Sequence, residues 1–476
     1  MRERQARHLE ALFAPASEVH AAFLGLSLKA TAPPSAKLPP PEFTWREFAV
    51  YLLTIAAQIE HSLMVQYLYA AWSLGGPQVP EQHRSDVAEW RQLILGVAKE
   101  EMGHLTTVQN VLRFLGAPLE LDREDYPWDM TLAPFPLTLE PLTRRSLARY
   151  VLAESPEKWP EGVSHEEREL IKKLATDGGT ASVNRVGALF DKILEILADE
   201  AMVPTASLHP ETYETQSSWD EWGRGYGKGA RGSSVAGTRS TPDVLVLRVA
   251  SRADAITALK AVATQGEAPS PAAAADIEAS HFSRFLGIFR SFPDAAGWSP
   301  SRELPTNPIA LGGAAGERQT PITDPTSSVW ANLFNLRYRM LLSYLGHTYF
   351  VPKGGSNDRR GVIVNRMFGE MYNLRAISAL LVQMPLGDGS DTMAAPPFQM
   401  PYTLALPQTD GAYWALHLEL LAATRSLLDT AQSGSGAAAD YARTLTSLDR
   451  TAAAEMALYA DAERVRVKML EKVGDL

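Results

Sequence analysis

The chain has 476 residues, of which 45% are hydrophobic and 21% charged, with no cysteine and a formal net charge of −10. That acidic balance argues against a nucleic-acid partner or a basic membrane patch. The lack of cysteine excludes disulfides, thiolate ligands, iron–sulfur clusters and cysteine nucleophiles, so a bound metal must use His, Asp or Glu, a donor set that suits iron, manganese or zinc.

In chain order, residues 1–27 pattern as an amphipathic helix that is charged rather than signal-like, and a cytoplasmic location is the default expectation. Residues 28–43 form a Pro-rich linker. Thr44-Trp45-Arg46-Glu47 reads as a capping box opening a helix over about 45–73. Between Phe48 and Pro80 its single Asp, Glu, Lys or Arg is Glu60. The length raises a membrane-span reading. Gln58, Glu60, His61 and Gln66 at the centre argue instead for a core helix of a bundle. Glu60 lies on the stripe Ala56, Glu60, Leu63, Met64, Tyr67, an isolated acid facing inward. Tyr67 is expected to pack there, with a pocket-lining role as the alternative.

Asp86 is the expected cap of the next helix, which Gly116 and Pro118 stop. Its inward stripe is Trp90, Ile94, Val97, Glu101, His104, Val108, Val111, Leu115: apolar at both ends, with a Glu-x-x-His in the middle. A charged pair in an apolar stripe is costly to bury unless something neutralises it. Residues 117–141 are irregular, and short helices follow near LTRRSLARYVLAES and over 164–174. A longer helix spans 181–201, with Asn184, Ala188, Asp191 and Glu195 on one stripe. The Gly- and Ser-rich stretch 204–241 reads as a surface excursion or lid. DVLVLRVAS is a short strand or loop edge, and 251–266 is helical.

After Ser270-Pro271, a helix cap and first-turn proline, comes the stripe Ala274, Glu278, His281, Phe285, Ile288, with a second Glu-x-x-His. Helices follow over 329–349, 362–384, 412–431 and 437–471. Arg366 and Glu370 are spaced as a solvated ion pair, and His347 as a packing residue. No dinucleotide fingerprint, P-loop or nucleophile elbow is present.

Two Glu-x-x-His pairs plus a lone inward Glu is the donor pattern of four-helix di-metal carboxylate proteins, which use a fourth acid as well. Glu60, Glu101, His104, Glu278 and His281 are the expected ligands. Asp191, Glu195 and Glu267 compete for the remaining place. Three carboxylates leave two dications with one excess positive charge, and a fourth brings neutrality.

The runs AAQIEHSLMVQYLYA, KEEMGHL, VGALFDKI, ALKAVATQGEA and IEASHFSRF resemble, in order over about 45–400, the ferritin-like domain of iminophenyl-pyruvate dimer synthases of bisindole pathways. By that resemblance Glu60, Glu101, His104, Glu278 and His281 match the motif acids and histidines, and Glu267 the acid of the QGE segment. A Gly-Glu-Leu-Tyr-like motif of that family is Gly187-Ala188-Leu189-Phe190 here, so the third helix's donor departs from the pattern. The bisindole enzymes carry an additional N-terminal half, so imine dimerisation is not carried over.

The expected architecture is all-α: residues 1–43 as helix and linker, 44–295 as a ferritin-like four-helix bundle with the 204–241 excursion, and 296–476 as a helical C-terminal extension packed on it. The expected function is a di-iron oxidase or oxygenase of natural-product metabolism, using two iron ions (or manganese) and O₂ on a small, amino-acid-derived substrate. The expected partner is that small molecule, without nucleic acid or membrane, and a homo-oligomer is left open. The rivals are a metal-binding ferroxidase, store or scaffold, and a metal-free degenerate domain.

Overall fold

The computed structural model describes residues 39–474 apart from 41, 130–134, 157, 178–185, 223–243, 267–279, 294–296, 311–317, 355–358, 388, 390 and 401–403. The helix expected over 1–27 and most of the Pro-rich linker lie outside the described residues. The chain divides into two compact units, Met1–Ser301 and Arg302–Leu476.

In the first unit, helix α1 (Trp45–Ser73) opens with the expected capping box. The Glu47 amide donates to Thr44 Oγ1 at 3.2 Å, and the Thr44 amide to Glu47 Oε2 at 2.9 Å. By length and composition α1 could cross a membrane, yet 83% of its most apolar window is buried inside the fold. Helix α2 (Arg84–Phe114) packs along it. Asp86 is not the cap: the helix starts two residues earlier without a side-chain cap, and Asp86 sits in its first turn, where the helix dipole favours an acid. The stop is as expected, with Gly116 in the left-handed region at φ +68°.

The chain continues through α3 (Arg144–Ala153), α4 (His165–Ala175), α5 (Val186–Ala198), the single turn α6 (Trp219–Trp222), α7 (Arg252–Gly266) and α8 (His281–Ser291). α5 packs on α1 and α7, α7 also meets α2, and α8 packs on α3 and α2. The expected excursion is partly core: Gln216, Ser217 and Trp222 are buried, while residues 223–243 lie outside the described ones. Of DVLVLRVAS, the described residues 244–251 form no strand and run as a loop edge. Side chains of α2 hold its backbone, since a buried polar backbone needs partners wherever it lies. Thr107 Oγ1 donates to Leu245 O at 2.7 Å and accepts from the Leu247 amide at 3.1 Å. Asn110 Nδ2 donates to Leu247 O at 2.8 Å. Gly103 makes room for this strap, since a Cβ there would lie 2.9 Å from Leu245 N.

The second unit begins with a short parallel pair, β1 (Pro308–Ile309) and β2 (Thr320–Pro321). Helices α9 (Pro325–Thr348), α10 (Arg359–Leu381), α11 (Asp410–Gln432) and α12 (Gly436–Gly474) follow. Asp324 caps α9, accepting from the Ser327 amide at 2.8 Å, with Pro325 in the first turn. The Arg366–Glu370 pair does not form as expected. Arg366 reaches Glu455 at 2.6 Å, while the Glu370 side chain turns to buried Arg337 at 3.1 Å. Tertiary partners outcompete a local spacing worth only about 0.2–0.5 kcal/mol.

His347 is fully buried and bonded, its Nε2 at 2.7 Å from Asp410 Oδ1 and its Nδ1 at 2.9 Å from His417 Nε2. Burial pushes both imidazoles below the ordinary histidine range, His417 well below it, where positive His347 would add repulsion. Asp410 opposes this for His347, and Arg359, itself 2.5 Å from Asp410, supports it. A folded-state pKa that is lowered means the unfolded chain takes up protons first as pH falls through about 6.5. Stability is therefore expected to fall below about pH 6.5, by up to about 1.4 kcal/mol per pH unit for each histidine. Urea midpoints at several pH values check this, and His417→Asn should flatten the profile.

Candidate metal centre

Four helices of the first unit bring the site together. Glu60 comes from the middle of α1, Glu101 and His104 from the middle of α2, and His281 from the first position of α8. Glu154, immediately after α3, completes the group; all five residues are buried. The two histidines lie with ring centroids 5.4 Å apart.

Glu101 sits between them and offers one oxygen to each side. Its Oε2 is 3.0 Å from His104 Nδ1, which is also 3.3 Å from Glu60 Oε2. Its Oε1 is 2.8 Å from His281 Nδ1, which is 3.7 Å from Glu154 Oε2. The donors thus form two sets, Glu60/Glu101/His104 and Glu101/Glu154/His281, each with its atoms within 4.8 Å of one another. Two such sets sharing a carboxylate are compatible with two metal ions.

The surrounding groups fix how the rings face. His104 Nε2–H donates to Gln265 Oε1 at 2.8 Å, and His281 Nε2–H to Glu100 Oε2 at 3.0 Å. Both rings therefore turn Nδ1, the nitrogen left for a ligand bond, toward the acids; outer partners that hold a histidine this way are typical of metal sites. His281 Nδ1 is buried and faces Glu101 Oε1 and Glu154 Oε2, a position where an ion between the three would be satisfied. Arg284 bonds Glu100, and the Tyr67 hydroxyl donates to Glu154 Oε1, leaving Oε2 on the His281 side.

Without an ion the acids contend for protons. Burial drives Glu101 well above the usual carboxylate range, relieved in part by His281 and reinforced by Glu60 and Glu154. Glu60 is also desolvated, but its contacts with His104 bring it below that range. Glu100 is held at about 2, its desolvation overcome by Arg284 and His281. His281 is raised to about 10 despite burial, chiefly by Glu101. One buried pocket thus holds more acid than it can ionise alone, the condition that cations relieve.

Of the expected ligands, the structure brings together Glu60, Glu101, His104 and His281. Glu278 and Glu267 lie outside the described residues. Asp191 and Glu195 are not brought to the cluster: both are exposed on α5, and Glu195 pairs with Lys192 at 2.8 Å. α5 turns its apolar face, including Phe190 and Ile193, inward, which carries that acidic stripe to solvent. Glu154 was missed. Its signal is the stripe Leu147, Tyr150, Val151, Glu154, an acid at the end of an apolar helical face. Glu100 and Gln265 carried no such signal, because their partners come from other helices. Tyr67 packs as expected and adds its bond to Glu154.

A small recess of about 20 Å³, room for roughly one water molecule, meets the cluster, lined by Glu60, Glu101, His104 and Glu154 together with Leu63, Phe190 and Val262. Gly266 keeps it open, since a Cβ there would lie 3.3 Å from Glu154 Oε2.

An all-helical bundle with paired carboxylate–histidine sets defines a class, and comparison agrees: the ferritin-like family model matches residues 53–290, half of the chain, so this chain belongs to the ferritin-like family. Among individual proteins it is similar to dichlorochromopyrrolate synthase of Lentzea aerocolonigenes, 29% identical over 395 residues, covering 76% of this chain and 36% of that protein. It is also similar to 2-imino-3-(indol-3-yl)propanoate dimerase of Chromobacterium violaceum, 33% identical over 128 residues, covering 21% of this chain and 12% of that one. The chain thus spans little more than a third of the longer match. A solved ferritin-like protein from Caulobacter vibrioides aligns over 70% of this chain and 95% of its own, at 17% identity and a TM-score of 0.39.

Proposed function

We propose that this chain is an O₂-using di-iron oxidoreductase of specialised metabolism, acting on a small, apolar, amino-acid-derived substrate. The observation that carries the reading is Glu101 offering one oxygen to each of two buried His/carboxylate sets. Carboxylate and imidazole donors without thiolate suit iron or manganese. When bound, two iron ions would supply the electrons by which O₂ is reduced while a substrate is oxidised.

The protein's own part is positioning and exclusion. Gln265 and Glu100 hold the imidazoles, and Tyr67 holds Glu154. Apolar side chains at Leu63, Phe190 and Val262 keep bulk water from the donors. The name of one similar enzyme, 2-imino-3-(indol-3-yl)propanoate dimerase, supports an indole-derived substrate class.

A store or ferroxidase is the second reading. The similarity to two enzymes, a dichlorochromopyrrolate synthase and a 2-imino-3-(indol-3-yl)propanoate dimerase, favours the enzyme. Anaerobic loading with Fe²⁺ followed by O₂ separates them: the enzyme reading expects uptake to stop at about two irons per chain. Continued uptake with mineral formation would establish the store, and no uptake would remove both.

A further inference from the structure

Building on the di-metal reading, we propose that the two metal positions are deliberately unequal, with Glu100 and Gln265 as the positioning residues that set the difference. The Glu101/Glu154/His281 position is the tight one, and the Glu60/Glu101/His104 position is the weaker one.

The geometry has one near-symmetric feature and one break in it. Each histidine presents Nδ1 to the cluster and donates Nε2–H outward, at 2.8 Å for His104 and 3.0 Å for His281. The acceptors differ in kind: a neutral carboxamide, Gln265, behind His104, and a carboxylate, Glu100, behind His281. A carboxylate accepting that hydrogen bond makes the imidazole a stronger donor to a cation, and losing such an outer partner commonly costs about 10–100-fold in metal affinity. Arg284 tempers the charge of Glu100 but also locks it in place between the two contacts. Glu100 is 2% exposed, so its bond to His281 meets little competition from water.

The test is equilibrium titration of the full chain with Co²⁺, a redox-inert probe whose visible absorption reports the ligand field. The wild type should bind two Co²⁺ in steps at least about tenfold apart. Glu100→Gln should weaken the tighter step about 10–100-fold and leave the other within about threefold. Gln265→Glu should tighten the weaker step and narrow the gap, and Glu60→Gln should abolish the weaker step alone. Two equal steps in the wild type, or a Glu100→Gln protein with native circular dichroism and both constants unchanged or equally weakened, would overturn the proposal. Should Glu100→Gln not fold, an unchanged gap in Gln265→Glu overturns it instead. A wild type that binds no Co²⁺ removes the di-metal reading itself, a result distinct from two steps of equal affinity.

Discussion

Glu101→Ala is expected to empty both metal positions at once, whereas Glu60→Ala should empty one. The contrast follows from where the oxygens point. Glu101 gives Oε2 to the His104 side and Oε1 to the His281 side, at 3.0 and 2.8 Å. Glu60 reaches His104 only, at 3.3 Å. Removing the shared acid leaves each set with one histidine and one other described acid, and both affinities should fall by at least about a hundredfold, the upper end of what loss of a mere outer partner costs. Metal content after anaerobic loading and desalting checks this. A Glu101→Ala protein that retains one ion would show that the carboxylate is not shared, and retention of both would remove it from the site. The fold should survive, because deleting one acid from a cluster that strains to ionise relieves repulsion as well as removing contacts.

Arg337→Ala is expected to be the most destabilising single change in the second unit, by about 3–5 kcal/mol. Arg337 is fully buried on α9. Its Nη1 lies 3.1 Å from Glu370 on α10 and 2.8 Å from Asp449 on α12, and its Nη2 lies 2.6 Å from Asp449. Thr424 on α11 donates to the same Asp449 at 2.9 Å. The guanidinium thus ties α9, α10 and α12 directly, and Thr424 joins α11 to the network through Asp449. Burial already raises Glu370 above its ordinary range, with Arg337 the main opposing influence; without Arg337, two acids would face each other unpaired. A unit of this size shifts by about 2–4 °C per kcal/mol, so calorimetry should show a loss of roughly 10 °C. A shift under about 2 °C would mean that water reaches the acids and the network is not closed.

What could be read from the residues alone follows a physical division. Glu60, Glu101 and His104 stood out because each interrupts a long apolar helical stripe, and a stripe that long has a determinate inward face, whereas His281 opens the short α8 ahead of its buried Phe285 and Ile288. Glu154 escaped notice because α3 has ten residues and the acid lies just past its end, where periodicity gives least guidance. Asp191 and Glu195 were plausible because a helix can turn either flank inward. The side that won is the one with Leu189, Phe190 and Ile193, decided by burial of apolar area rather than by anything local. The solvated Arg366–Glu370 pair failed for the same reason, since Arg337 comes from a different helix. The strap on α2 was ambiguous between strand and loop because its backbone is satisfied by Thr107 and Asn110, and no pattern within DVLVLRVAS announces that.

The near-complete enclosure of α1 has a consequence for biosynthesis. A segment that is greasy on every side is synthesised before α2 and well before α5, the helices that shield it. During that interval it presents an adhesive surface to every other nascent chain, and its two inward neighbours cannot yet offer cover. Expression yield should therefore depend more steeply on chaperone supply and growth temperature than the stability of the finished protein would suggest.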